Sequence, residues 1–235
     1  MPEVNVKTPE QQDMQSELRV RESLIQMRTQ ISNQVRGLLA EYGIVFKQGL
    51  SSLRNQLAEL FAPDATNGLS EGFKQLLVRQ YELLLELDHR IKQSDALLTD
   101  YAQKNEVCQR LQAVEGIGVI TSVAIVSTVG QGAGFKNGRH FAAYLGLVPR
   151  QHSSGNKEQL LGISKRGNSY LRQVLIHGAR SVVIRASKKT DARSVWITQL
   201  KERCGVNKAS VALANKNARI VMAMLLTNES YRRAA

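Results

Sequence analysis

Aromatic residues are scarce, at 5% of 235 residues with one tryptophan, Trp196. Proteins that hold unpaired nucleic acid commonly stack bases on rings, and no such platform is advertised. Cysteine is almost absent too. Cys108 and Cys204 lie far apart, which excludes a disulfide framework and a thiolate metal centre. Four scattered histidines offer no ligand cluster, so no metal residues are assigned. No apolar run reaches the ~18 residues that would span a bilayer, and no secretory signal is visible. No membrane partner is expected, and a reducing cytoplasm is the expected location.

The last scarcity is acidity, and it is local. Residues 1–106 hold 12 Lys and Arg against 15 Asp and Glu, whereas residues 107–235 hold 20 against 5, within a net charge of +12 for the whole chain. So large a cationic excess repels itself unless a polyanion neutralises it. Nucleic acid is the polyanion whose released counterions would drive such binding.

The acidic half reads as helical. Leu24, Ile31, Val35, Leu38 and Tyr42 fall at spacings of seven, four, three and four, with Arg28 at a seam position between them. That is an a/d-like stripe over about Glu10 to Tyr42, stopped by Gly43 as a helix C-cap should be. A connector over 44–68 contains a short helix near Leu50–Phe61, ending at Pro63-Asp64. A second long helix over about Ser70–Tyr101 repeats Leu77, Leu84, Ile91 and Leu98 every seven residues. Together these predict an antiparallel coiled-coil hairpin, with a plain two-helix piece of a bundle as the alternative. Glycine and basic residues rise together after Lys104. The expected division is therefore 1–106 and 107–235, and the expected fold class is mainly α.

Three motifs follow in the basic half. The first joins a helical segment, Gly116-Ile-Gly118 and an apolar segment of helical length. This is the pattern of a helix-hairpin-helix, whose second helix presents free amides to a phosphate without reading sequence. Residues 119–129 are rich in β-branched types, so a buried strand is the alternative there. The second motif runs from Tyr144-Leu-Gly146 through Pro149-Arg150 into a polar loop, His152-Ser153-Ser154-Gly155. A loop serine is ordinary turn chemistry, or a nucleophile if a base or metal activates it. The third is Ser164-Lys165-Arg166-Gly167-Asn168, where Ser164 or Asn168 would cap a helix to about Arg185 that buries Leu171, Val174, Leu175 and Val182. Cations at a helix start oppose its dipole, and a bound phosphate would relieve this. Residues 191–203 and 207–227 read as two more helices, with Trp196 expected in the core.

Taken in order, Gly116-Ile-Gly118, Phe135-Lys136, Tyr144-Leu-Gly146-Leu-Val-Pro149-Arg150, Ser154-Gly155, Ile163-Ser164-Lys165-Arg166-Gly167-Asn168 and Leu171-Arg172 resemble the C-terminal domain of insertion-sequence transposases of the Piv-invertase-related DEDD class. Some members of that class are bridge-RNA-guided recombinases. Ala212-Leu-Ala-Asn215-Lys216-Asn-Ala218-Arg219-Ile220, and the opening Val6-Lys-Thr-Pro-Glu-Gln-Gln-Asp with Arg36-Gly37-Leu38-Leu39-Ala40-Glu41, extend the resemblance over nearly the whole chain. It implies DNA transposition and recombination, with Ser154 as the nucleophile that joins DNA covalently. It further implies DNA as partner, a guide RNA as a candidate second partner, and a homo-oligomer formed through the coiled coil. Residues assigned to nucleic acid are Gly116, Gly118, Arg139, Arg150, Lys157, Lys165, Arg166 and Arg172. The family's RuvC-like domain carries four acidic residues that bind magnesium, and no such motif is found around Glu3, Glu10 or Asp13. The expectation is a truncated or split enzyme with no cofactor of its own, magnesium entering only with the missing domain. The alternative reading is a non-catalytic nucleic-acid-binding module that dimerises through its coiled coil.

Overall fold

The computed structural model describes residues 6–62, 68–155 and 157–232. The expected helix end at Pro63-Asp64 lies outside them. The described residues form eight α-helices and one two-stranded sheet, so the mainly helical expectation holds. They gather into two compact units, one of Glu17–Leu97 and the other of the residues up to Ser16 together with those from Leu98 onward.

Helix α1 (Pro9–Glu41) starts where the local chemistry says it should. The Thr8 hydroxyl accepts from the Gln11 amide at 3.2 Å, and the Gln11 side chain accepts from the Thr8 amide at 3.0 Å. This reciprocal cap has Pro9 at the first helical position, where a missing N–H costs nothing. At the far end the Ile44 amide donates to the Leu39 carbonyl and the Gly43 amide to that of Ala40, so the chain turns out of the helix at Gly43.

In the Glu17–Leu97 unit, α1 lies beside α2 (Leu50–Leu60) and α3 (Glu71–Lys104). Two ion pairs give the direction of packing: Arg21 Nε to Asp95 at 2.6 Å and Arg28 Nη1 to Asp88 at 2.9 Å. Seven residues forward along α1 match seven residues back along α3, so the two helices run antiparallel. Asp88 also pairs with Arg54 of α2. The apolar seam contains Val35, Leu39, Leu53, Leu57, Leu77 and Leu84, all buried.

The second unit is built around α5 (Val119–Val129), in which every residue from Thr121 to Ser127 is buried. The strand alternative for this segment is therefore set aside. Its buried serines satisfy themselves by back-bonding, Ser122 to the Val119 carbonyl at 2.9 Å and Ser127 to that of Ala124 at 3.4 Å. Gln11 and Gln15 of α1 donate to the carbonyls of Val126 and Ser127 near the end of α5. Helix α4 (Glu106–Gln112) leads in through Gly116-Ile-Gly118. Helix α7 (Ser169–Arg185) is capped by Asn168, whose side chain accepts from the Leu171 amide. It buries Leu171, Leu175, Ala179 and Val183, so the inward stripe runs through Ala179 and Val183, while Val174 and Val182, expected inside, are only partly buried. Helix α8 (Ala192–Thr227) is interrupted at Gly205, whose φ of 78° and ψ of 165° are not helical. The two helices expected from the sequence thus abut at this residue. Helix α6 (Gly138–Tyr144) crosses α8 closely, since a Cβ on Gly138 would lie 2.7 Å from the Arg219 carbonyl.

Candidate nucleic-acid interface

The expected polar loop around Ser154 is ordered rather than irregular. Strands β1 (Pro149–Gln151) and β2 (Leu160–Ile163) pair antiparallel. The His152 amide donates to the Gln159 carbonyl at 2.9 Å, and Ser154 and Lys157 exchange amide bonds of 3.3 and 3.2 Å. Ser154 therefore sits at the tip of a β-hairpin, exposed like His152 and Lys157. No hydrogen bond links the side chains of His152 and Ser154, so the structure does not make this histidine the serine's base.

The hairpin grows from a stitched base. The Ser164 amide donates to the Val148 carbonyl at 2.8 Å and the Lys165 amide to that of Gly146 at 3.1 Å. Lys165 adopts a left-handed φ of 56°, a conformation that costs an L-residue ~1–2 kcal/mol and persists only where the surroundings fix it. Gly167 permits the approach, because a Cβ there would run into the Tyr144 carbonyl. Arg172 is half-buried, and its Nη1 donates to the carbonyls of Leu145 and Arg166, each at 2.9 Å. Of the residues assigned to nucleic acid, Arg172 is thus engaged in holding this base together. Arg150, Lys165 and Arg166 are exposed around it.

The glycine turn splits in role. Gly116 has φ of 91°, and a Cβ on it would lie 3.1 Å from the Gly178 carbonyl of α7. Reciprocally, a Cβ on Gly178 would collide with the Gly116 carbonyl. The pair lets two backbones touch. Asn217, fully buried, donates to the Glu115 carbonyl at 2.9 Å, and its own carbonyl oxygen accepts from Arg193 at 2.5 Å. Glu115 itself pairs with Lys189 at 2.8 Å. Gly118 is exposed with nothing around its would-be Cβ, so it alone leaves the start of α5 open. Gly178, Asn217 and Arg193 were not singled out from sequence. The one available signal was a glycine inside an otherwise good helix, which usually has a packing reason.

Phe135 packs edge-on against Phe141 and Tyr144, with centroids 5.1 and 5.2 Å away, fixing α6. Arg139 on that helix is exposed beside Lys216 and Arg219 of α8. Trp196, expected in the core, instead lines this groove with the Lys216 ammonium 4.2 Å from its ring centroid. Ile197 and Leu200 fill the core in its place. Few carboxylates temper the cations: of the five acids after residue 106, Glu115 is paired and Asp191 caps α8 by accepting from the Ser194 amide. Among the described residues no three His, Cys, Asp or Glu gather in one place, and no helix is long and apolar enough to cross a membrane.

Comparison with known proteins agrees with this picture. Residues 108–194 match the family model described as Transposase IS116/IS110/IS902 family. The chain is 46% identical over 229 residues to the transposase for insertion sequence element IS1111A of Coxiella burnetii, covering 97% of this chain and 63% of that protein. It is 44% identical over 229 residues to a probable family 20 transposase of Pseudomonas aeruginosa, covering 97% of this chain and 68% of that one. A more distant relative is the pilin gene-inverting protein of Moraxella bovis, 29% identical over 147 residues, 61% of this chain and 41% of the relative. The chain thus spans roughly two-thirds or less of its relatives' lengths. With the motifs, hairpin and basic unit described above, these matches establish that the chain belongs to the IS116/IS110/IS902 family of transposases.

Proposed function

We propose that this chain contributes the DNA-holding and serine-bearing part of a transposition reaction, with Ser154 as the nucleophile. The observation that carries the reading is the position of Ser154 at the exposed tip of a hairpin that is cationic along its length, with Lys157 paired to Ser154, Arg150 on the strand, and Lys165 and Arg166 at the base. In the reaction the Ser154 Oγ–phosphorus bond forms as a phosphodiester P–O bond breaks. The cut strand leaves as a hydroxyl, and the serine proton passes to a base. A serine hydroxyl is a weak nucleophile without such a base, and the neighbouring cations offset charge on the phosphate oxygens.

No step is assigned to a metal held by the described residues. Activation is instead supplied by acidic residues of a RuvC-like part, to which any magnesium belongs. The finer organisation extends the same reading. The antiparallel helices of residues 1–106 form a coiled coil that joins copies of the protein, and the α4–α5 turn acts as a helix-hairpin-helix. DNA is the substrate and a guide RNA its companion.

The test is a chimaera in which this chain replaces the matching segment of the full-length Pseudomonas aeruginosa relative. It is incubated with DNA carrying the element's ends, and denaturation-resistant protein–DNA adduct is measured. Adduct is expected, and Ser154→Ala should abolish it while DNA binding persists. Adduct formed equally by the Ser154→Ala chimaera would overturn the assignment. It would favour the second reading, a binding module without chemistry, which the large cationic excess alone would also support.

A further inference from the structure

Past the break at Gly205, one face of α8 borders two open grooves. One, of about 1100 Å³, lies between α8 and the hairpin, with Arg150, Lys165 and Lys208 over an apolar floor. The other, of about 740 Å³, lies between α8 and the start of α6, with Arg139, Lys216 and Arg219 beside Trp196. Ala212 and Asn215 line both, so they form one trough. Six cations and no carboxylate line it. Beyond Trp196 the surface turns from cationic to mixed, where Glu115, Asp191 and Glu229 stand among Arg193, Lys216 and Arg232. The cationic stretch from Lys208 to Arg219 is ~17 Å long at 1.5 Å per helical residue, room for a few nucleotides.

Resting on the nucleic-acid reading above, we infer that this trough holds an unpaired nucleic-acid strand, one base stacking on Trp196 and its phosphates meeting Lys216, Arg219 and Arg139. Groove volumes near those of small-ligand pockets are of a size to admit nucleotide units. The Lys216 ammonium already lies over the indole, so the ring that takes a base and the cation that takes a phosphate are adjacent before binding. The sequence shows no row of aromatics, and the geometry shows why none is needed: one ring ends the trough and cations line the rest. From Trp196 the strand leads past Asn215 toward Lys208 and the hairpin.

Trp196 is the chain's single tryptophan, so its emission reports this site alone. The whole chain is titrated with labelled oligothymidylate and oligouridylate of about ten nucleotides, a length within the usual range of single-strand sites, and with a DNA duplex. Dye anisotropy and Trp196 emission are followed together. Emission should fall in step with single-strand binding. Lys216→Ala with Arg219→Ala, both exposed, should weaken binding roughly ten-fold or more and lower the salt slope by about 1.4, near 0.7 per lost phosphate contact. Trp196→Ala should weaken it roughly five-fold to a hundred-fold. Preference for the ribo- or deoxyribo-strand identifies its source, and either preference supports the trough. Saturable binding that leaves Trp196 emission unchanged overturns the inference while sparing the DNA-binding reading. No anisotropy change with any of the three probes overturns both.

Discussion

Gly178→Ala should destabilise the protein, although it lies inside a helix where alanine is normally the better residue. Propensity alone would favour the change by ~1 kcal/mol. Against this, the new methyl is driven into the Gly116 carbonyl, backbone that cannot rotate aside, and such overpacking costs ~1–3 kcal/mol. Moving the turn also strains the bonds that Asn217 and Arg193 make to the Glu115 carbonyl, at 2.9 and 3.5 Å, each worth ~1 kcal/mol. The opposing terms leave a net loss of ~1–3 kcal/mol, or roughly 3–10 °C in Tm for a unit of this size. Gly37→Ala in α1 is the matched control. A Cβ at Gly37 meets nothing within 4 Å, so the same substitution should stabilise by up to ~1 kcal/mol. Thermal melts followed by circular dichroism, with Trp196 emission reporting the second unit, compare the two. If Gly178→Ala melts at or above the parent temperature, the Gly116–Gly178 contact does not constrain the turn as described.

Hydrogen bonds from Ser194 hold the Asp191 carboxyl below the usual carboxylate range. A carboxyl depressed on folding stabilises above its unfolded pKa of about 4 and loses that contribution as pH falls through the lower folded value. Asp191→Asn keeps an acceptor for the cap, so melting profiles should show the parent losing stability on acidification below about pH 4 by a step that the variant lacks; superimposable profiles would refute it. The two cysteines should differ in reactivity. Burial pushes the Cys108 thiol up to about 12, whereas Cys204 is partly exposed. A thiol-reactive dye at mildly alkaline pH should label one site quickly, and Cys204→Ser should remove that label; rapid labelling of Cys204→Ser would contradict the burial of Cys108.

Features set by neighbours in the chain were legible from sequence. A helix from about Glu10, its end at Gly43 and the Asn168 cap of another are found as expected, because each signal acts over three or four residues. The heptad leucines of α3 likewise fall on its buried side. The hairpin was missed for a local reason as well. Its strands are three and four residues long, and β1 is wholly exposed, so no apolar alternation marks them. The surviving hint was Gly155-Asn, a pair that hairpin turns favour. The contacts that lock the glycine turn were not legible, since Glu115 and Asn217 are 102 residues apart. Trp196 was misplaced because size suggests burial, while its position on α8 turns it to a groove among cations.

The hairpin base and tip are held very differently. At the base, carbonyls, amides and Arg172 knit two chain segments together; at the tip, among the described residues, the stitching is the pair of amide bonds between Ser154 and Lys157. An extended strand advances ~3.3 Å per residue, so the six steps from Val148 carry Ser154 up to ~20 Å from its fulcrum. A hydroxyl on such an arm is withheld from its own body's surface and is delivered to whatever docks opposite. On the proposed reading of Ser154 as the nucleophile, its reactivity would depend on assembly: harmless toward passing phosphates in the lone chain, armed in a completed complex.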